Sequence, residues 1–284
     1  MSDTPTRSRR LTGLLAAVLL WPAATAWADP VDETLAALQR GDFATGLRLV
    51  QPLAQAGNPR AQYILGLLYA NGSGVAPDLA QALAWERKSA AQGFPPARDQ
   101  MVTFYLNGKA EPQDFGPVAA TCRELATAGQ VKGQDCLGFM YAHGDGVPLD
   151  PALGIAWWKK ASEQGSVGAE TALGSTYERG HGVPQDFAAA IYWYGKAADR
   201  GNAFGMLNLG VMAAKGQGGP VDQVEAYKWT ALALSRLPAW AGQARSQAAQ
   251  NLELAARQLQ PAQLDEAKGR AAAWLASHSS LPPP

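Results

Sequence analysis

Hydrophobic residues recur at helical spacing along this chain, and the pattern restarts at a fixed interval. In residues 169–204, one apolar face runs from Ala169 to Tyr177 and a second from Ala190 to Ala197. The segment Gly180-His181-Gly182-Val183-Pro184 separates them. Because glycine and proline interrupt helices, the pattern predicts a helix, a loop and a second helix.

Aspartates mark the interval, since one stands before each predicted second helix at a spacing of 36 residues. Such an aspartate can cap a helix by accepting hydrogen bonds from its free backbone amides. Repeats of about 20–50 residues are typical of solenoids, in which each unit buries its apolar face against its neighbours. The aspartates are Asp42, Asp78, Asp114, Asp150, Asp186 and Asp222.

Small and large residues keep the same interval and predict how the two helices pack. We interpret the repeated glycine of the first helix as a point of close approach, and the repeated tryptophan of the second as a core side chain. The alternative, a box of aromatic rings around a ligand, is disfavoured by the fixed small partner. The glycines are Gly66, Gly138, Gly174 and Gly210; the tryptophans are Trp85, Trp157, Trp193 and Trp229.

Together these positions form the motif Ala-x-x-x-Leu-Gly-x-x-Tyr-x-x-Gly-x-Gly-Val, followed by Asp, Ala, Trp and a closing Gly. The motif resembles the Sel1-like repeat, a relative of the tetratricopeptide repeats, over about residues 31–240. The resemblance implies an all-α fold, a right-handed α-solenoid of 36-residue helix-loop-helix repeats with helical caps.

We expect the chain to be organised in the following order. Residues 1–28 form a secretory signal peptide, and residues 29–60 form a shortened N-terminal repeat or cap. Five repeats then occupy residues 61–96, 97–132, 133–168, 169–204 and 205–240, followed by capping helices at 241–277 and a disordered tail at 278–284.

The repeat at residues 97–132 departs from the motif. It has Met101-Val102 in place of Leu-Gly, Ala110 in place of the second loop glycine and Thr121 in place of the tryptophan. These changes predict a locally different helix spacing. A hinge, a docking site and simple drift all remain open as interpretations.

The N-terminus has the pattern of a secretory signal. Three arginines precede a charge-free stretch, residues 11–27, which is shorter than the roughly 20 residues of a membrane-spanning helix. Ala26-Trp27-Ala28 is a small-x-small cleavage site, so we predict cleavage after Ala28 and a periplasmic or secreted protein without stable membrane insertion. Thr12 and Gly13 favour the ordinary secretion route over the twin-arginine route, and an uncleaved anchor is the alternative.

The charge balance excludes one class of partner. Without the leader, 21 basic and 23 acidic residues remain, a net charge of −2. This surface gives no electrostatic reason to bind nucleic acid.

The two cysteines permit a disulfide. Cys122 lies seven residues before Gly129 and Cys136 seven residues after it, so a turn near Gly129 would place both at matching heights on antiparallel helices. An oxidising compartment favours the bridge, which would close a loop of about 15 residues. Two buried free thiols are the alternative.

Candidate chemistry is sparse. His143 and His181 lie at the glycine loops and His278 lies in the tail, and none has a nucleophile or second ligand at helical spacing. The glycine loops follow no strand and precede no Lys-Ser/Thr pair, which argues against phosphate binding. We therefore predict no catalytic residue, no metal site and no cofactor.

The resemblance also selects a binding face. In tetratricopeptide relatives the first helix of each unit lines the concave side, and a ridge through Asn71, Asn107, His143, Arg179 and Lys215 continues that face. The selected partner-binding residues are Tyr63, Leu67, Asp99, Thr103, Asp135, Phe139, Thr171, Ser175, Leu207 and Val211.

These observations lead to a functional hypothesis with two alternatives. The resemblance implies a non-enzymatic envelope scaffold that binds a protein or peptide on its concave face, as a signalling regulator or an assembly adaptor. The first alternative is a cell-wall-related binder or β-lactam hydrolase, as cysteine-rich relatives imply, and the second is an adaptor of the eukaryotic secretory pathway, where related repeats also occur. No Ser-x-x-Lys pairing in a plausible site supports the hydrolase.

Overall fold

A computed structural model describes residues 31–281, so the predicted signal peptide lies outside the described residues. Over this range the chain forms fourteen α-helices, one short 3-10 helix (Pro112–Asp114) and no strand. The predicted all-α fold of helix-loop-helix repeats is therefore confirmed, while its handedness stays a prediction. The helices are α1 (Asp32–Gln39), α2 (Phe43–Gln55), α3 (Pro59–Asn71), α4 (Leu79–Ala91), α5 (Pro95–Leu106), α6 (Phe115–Thr127), α7 (Val131–His143), α8 (Pro151–Glu163), α9 (Val167–Arg179), α10 (Phe187–Asp199), α11 (Ala203–Lys215), α12 (Gln223–Arg236), α13 (Gly242–Gln258) and α14 (Pro261–Ser277).

The repeated aspartates start the second helices, as the sequence predicts. Five of them accept a hydrogen bond from the backbone amide three residues further on, at 2.9–3.1 Å. Each bond satisfies an amide that has no partner within the helix. The capping aspartates are Asp42, Asp78, Asp150, Asp186 and Asp222.

Asp114, in the divergent repeat, has a different role. It accepts from the Glu111 amide at 3.0 Å and binds the Arg87 guanidinium, whose Nε lies 2.5 Å from its Oδ1. Its side chain is only 2% exposed. Burial raises the pKa of this carboxyl, but the bonds from Arg87 and Glu111 outweigh it and leave the pKa below its ordinary value.

The chain divides into two compact units, each with its own apolar core. The first comprises residues 31–124 with 145–147, and Leu35, Val50 and Ile64 join α1, α2 and α3 in its core. The second comprises residues 125–144 with 148–281, and its core includes Leu173 and Met206. No helix in the described part is long and apolar enough to cross a membrane.

The glycine of the first helix does not face the repeated tryptophan. A side chain on Gly138 would collide with the Trp158 ring, and one on Gly174 would collide with Tyr194. The facing residue is thus the one directly after the repeated tryptophan position, and it is nearly fully buried. The four facing residues are Glu86, Trp158, Tyr194 and Thr230.

The repeated tryptophans are instead half-buried at the margin of the cores. Each lies beneath a lysine ammonium at 4.1–4.9 Å from a ring centroid, a favourable cation–π geometry. The interpretation of these indoles as the core side chains opposite the glycine is therefore wrong, because the residue directly after each tryptophan faces the glycine instead. The pairs are Trp85 with Lys88, Trp157 with Lys160, Trp193 with Lys196, and Trp229 with Lys228.

The predicted disulfide is confirmed. Cys122 and Cys136 are both disulfide-bonded, and no free cysteine occurs in the described part. In the chain-entropy account, closing a loop of about 15 residues stabilises the fold by roughly 3 kcal/mol.

The C-terminal helices α13 and α14 complete the core of the second unit through Ala248 and Trp274. His278 stacks on Trp274 with ring centroids 3.9 Å apart, and Leu281 packs against the same core. The prediction of a disordered tail is therefore wrong for residues 278–281, while residues 282–284 lie outside the described range.

Successive repeats are joined by a polar pair whose members lie 30 residues apart. Gln92 donates to Gln62 at 2.8 Å, and Gln164 donates to Gln134 at 2.9 Å. In the next repeat the pair becomes ionic. Arg200 donates to Glu170 at 3.2 Å. Glu170 also accepts from Ser162 at 3.2 Å and lies 3.7 Å from the Lys196 ammonium.

We predict that replacing Glu86 by Met stabilises the protein most at alkaline pH. Glu86 is 1% exposed, and neither carboxylate oxygen has a hydrogen-bond partner in the described structure. Burial therefore raises the pKa of this carboxyl well above its ordinary value. The wild-type protein is most stable below the ordinary pKa and loses stability as the pH rises through the raised one.

The gain in the free energy of unfolding should be on the order of 1–3 kcal/mol at pH 8 and smaller at pH 4. Urea denaturation at both pH values measures it, with the exposed Glu163→Met as the control. An equal gain at both pH values would show that the pKa of Glu86 is not raised in the folded protein.

We also predict that Arg200→Gln destabilises the protein by about 1–3 kcal/mol, because it weakens the pairing of the fully buried Glu170. Adding Glu170→Gln recreates the glutamine pair of the other repeats and should recover most of the loss. A double-mutant cycle by urea denaturation checks this. Additive effects of the two substitutions would show that the residues do not act as a pair.

Candidate functional site

The ten predicted partner-binding residues do not form one surface. Tyr63 and Leu67 are each 2% exposed, and Leu207 is 9% exposed. Tyr63 packs edge-on against Phe94 with ring centroids 5.6 Å apart. The prediction is wrong for these three side chains, because they belong to the apolar cores and are not available to a ligand.

Three other predicted residues are accessible, but they do not line the cavity of about 480 Å³ in the second unit. In the first unit Asp99 is exposed and Thr103 donates to its backbone carbonyl at 3.2 Å. In the second unit Val211 borders a smaller cavity of about 180 Å³.

Three predicted residues share a cavity of about 480 Å³ in the second unit. Phe139 reaches it from α7, and Thr171 and Ser175 reach it from α9, one turn apart on the same face. The N-cap residue and the first half of α11 also line it. The lining includes Phe139, His143, Trp158, Thr171, Ser175, Arg179, His181, Asn202, Phe204 and Asn208.

Aromatic rings form the apolar wall of this cavity. Trp158 is 3% exposed and meets Phe139 edge-on, with ring centroids 5.0 Å apart. Phe139 in turn stacks on His143 at 6.4 Å. Gly138 allows this arrangement, because only a residue without a side chain leaves room for the Trp158 ring.

Cationic and imidazole groups stand at the rim. His143 is fixed by a 2.8 Å bond between its Nδ1 and the Phe139 carbonyl, and its ring meets that of His181 at 6.4 Å. Arg179 is exposed and forms no ion pair within residues 31–281. None of the residues lining the cavity is acidic, so the rim favours a negatively charged group.

Hydroxyl and amide groups line the remaining wall. Thr171 donates to the Val167 carbonyl at 2.8 Å and lies 3.5 Å from the Asn202 side-chain oxygen. That oxygen caps α11 by accepting from the Gly205 amide at 2.7 Å. The Asn208 amide has no hydrogen-bond partner among the described residues, so both its donor and its acceptor remain free.

Asp135, another predicted residue, does not line the cavity, although its carboxyl lies close to the lining residue Gly168. It accepts from Ser166 at 2.6 Å, and Ser166 in turn caps α9 by accepting from the Ala169 amide at 3.1 Å. Burial raises the pKa of Asp135 to about 6, although the Ser166 bond opposes the shift. We interpret Asp135 as a structural residue rather than a ligand-binding one.

The sequence interpretation did not select five of these residues. His181 is an exposed loop residue, as the sequence predicts, but it also borders the cavity. The other four are Trp158, which lies beside the repeated Trp157, and Asn202, Phe204 and Asn208. A signal for Trp158 exists in the Trp-Trp pair, since one of two adjacent indoles must face away from the other. No group of three or more metal-binding side chains occurs in the part of the chain that the structure describes.

Comparison with known families identifies the repeats. The Sel1 repeat profile matches four segments, residues 59–94, 137–166, 167–202 and 203–236. The chain is a Sel1-repeat protein. The divergent repeat at 97–132 falls outside the matched segments, and the cavity of the second unit lies within three of them.

Two similar solved structures are compared by identity, coverage and TM-score, and the first supports the fold. A Sel1 repeat protein from Oxalobacter formigenes shares 23% identity over 89% of this chain and 97% of the other, with a TM-score of 0.55. A protective antigen of uropathogenic Escherichia coli with an SLR fold shares 22% identity over 88% of this chain and 61% of the other, with a TM-score of 0.46. No curated protein matches this Sel1-repeat protein.

We predict that Gly138→Ala destabilises this Sel1-repeat protein by about 1–3 kcal/mol, because the new methyl group must displace the buried Trp158 ring. Gly195→Ala is the matched control, since a methyl group there meets no atom and should stabilise α10 by about 0.5–1 kcal/mol. Urea denaturation measures both. A harmless Gly138→Ala would show that the helices can separate at this point.

Proposed function

We propose that this protein is a non-enzymatic scaffold of the cell envelope that binds an acidic peptide segment of a partner protein in the second-unit cavity. Sel1-repeat proteins are generally protein-interaction scaffolds, which supports the broad class. Export through the predicted signal supports the location, and the disulfide is compatible with an oxidising compartment.

The unpaired Arg179 at the rim of a cavity without acidic residues is the observation that carries the ligand chemistry. A guanidinium can bind a carboxylate with two parallel hydrogen bonds. His143 and His181 flank the same rim and present no negative charge of their own. The ligand therefore carries an aspartate, a glutamate or a C-terminal carboxylate.

The interior determines the rest of the ligand. Phe139 and Trp158 offer an apolar wall, and the exposed ring of Phe204, 38% accessible, extends it. The free Asn208 amide offers one donor and one acceptor, which is what a peptide group requires. An apolar side chain next to the carboxylate would occupy part of the volume of about 480 Å³ while its backbone bonds the amide.

Selection of random peptides against the purified exported protein tests the proposal. We expect enriched peptides to combine an acidic group with an adjacent apolar residue. Arg179→Gln should weaken their binding by at least about tenfold, since a charge-assisted hydrogen bond contributes roughly 1.5–3 kcal/mol. Phe139→Ala should weaken it similarly, whereas Glu163→Gln on the exposed side of α8 should not change it.

In-cell crosslinking extends the same comparison. A photoreactive residue at Phe139 should capture a protein that the same probe at Glu163 does not. Peptides without acidic residues, or binding that is insensitive to both Arg179→Gln and Phe139→Ala, would contradict the proposal.

A further inference from the structure

A second cavity lies within the first unit, in the divergent repeat. Its volume is about 250 Å³, and Ala90, Met101, Val118 and Thr121 contribute to its lining. The first residue belongs to α4, the second to α5 and the last two to α6. The lining is therefore mainly apolar and comes from three consecutive helices.

The cavity lies where the repeat lacks its tryptophan. Thr121 stands 36 residues after Trp85, and Ala90 and Met101 stand 36 residues after Ala54 and Leu65. Trp85 packs against the core cluster that contains Ala54 and Leu65. In the divergent repeat the equivalent helices therefore provide the residues that surround Trp85 in the repeat before, but Thr121 stands where the indole would be.

The charged groups around this cavity are already satisfied. Arg87 binds Asp114 and also lies 2.9 Å from Glu111. Arg98 lies 3.2 Å from the Thr121 hydroxyl and 2.7 Å from Glu124. The cavity is therefore suited to an apolar aromatic ring rather than to an anion.

One indole, that of Trp240, is largely exposed and has no ring contact among the described residues. Trp240 is 79% exposed in the short connection between α12 and α13, where the Ala241 amide bonds the Pro238 carbonyl at 3.0 Å. An isolated exposed tryptophan costs solvation free energy and is a frequent anchor residue of interfaces.

We propose that Trp240 of a second copy of this chain inserts into the cavity beside Thr121. The donor ring and the acceptor cavity are different surfaces of one molecule, so the contact is head-to-tail. A single indole buries on the order of 200 Å², far less than the roughly 1,200–2,000 Å² of a stable interface. The association is therefore weak and reversible, and it does not use Arg179.

Sedimentation equilibrium of the purified exported protein, from about 10 µM to about 1 mM, tests the proposal. We expect the average mass to rise above that of the monomer with increasing concentration. Trp240→Ala and Thr121→Trp should each lower the association constant by at least about tenfold, as for an interface anchor. Tyr192→Ala is the control, since that ring is 59% exposed and should leave the association unchanged.

Thr121→Trp has a second expected effect that separates filling from misfolding. An indole supplied in place should raise the Tm by a few degrees while abolishing association, because it fills the cavity from within. If this variant fails to fold, Ala90→Leu narrows the same cavity and should give the same loss of association. The circular dichroism spectrum identifies a misfolded variant.

Three outcomes would overturn the proposal. The protein remains a monomer throughout the concentration range; the association survives both Thr121→Trp and Ala90→Leu; or Trp240→Ala leaves it unchanged. The last outcome would mean that another group occupies the cavity. None of these outcomes affects the peptide selection at Arg179, so the two proposals fail separately.

Discussion

The close approach of the two helices in each repeat is the constraint on which the rest of the structure depends. A glycine on the first helix removes one side chain at the contact, and one residue of the second helix fills the space. That residue is a carboxyl, an indole, a phenol or a hydroxyl in the four repeats where the glycine is present. The glycine is kept in these four repeats, whereas the side chain that fills the space beside it differs from one repeat to the next.

This variation gives each repeat its own chemistry. Trp158 forms the apolar wall of the second-unit cavity together with Phe139, whereas Tyr194 donates to Glu178 at 2.8 Å. Glu86 places a carboxyl without a partner in the core of the first unit. One position thus produces a binding wall in one repeat, a hydrogen bond in another and a buried carboxyl of raised pKa in a third.

The divergent repeat changes both members of the contact. Val102 replaces the glycine, and the position that would face it holds Cys122, one of the two disulfide-bonded cysteines. A larger first residue and a smaller second residue keep the combined volume similar, which is why the helices can still pack. The adjacent exchange of tryptophan for Thr121 has no such compensation, and a cavity remains.

These comparisons explain which features the sequence could predict. An aspartate cap acts within three residues, so its spacing alone predicted Asp150 and its counterparts. Adjacent helix positions differ by about 100° in direction, and periodicity could not decide between Trp157 and Trp158. Tyr63 is buried in a core cluster where it packs on Phe94, a position that the repeat motif does not specify, so no repeated position predicted its burial.

Comparison of positions 36 or 72 residues apart relates the polar pairs between repeats to one another, which helical periodicity alone cannot do. The members of each pair lie 30 residues apart, too far for helical periodicity to relate them. Comparing equivalent positions shows that Gln62 and Gln134 correspond to Glu170, and Gln92 and Gln164 to Arg200. Both members change together from amide to ion, because a fully buried carboxylate requires a cation where a buried amide requires an amide.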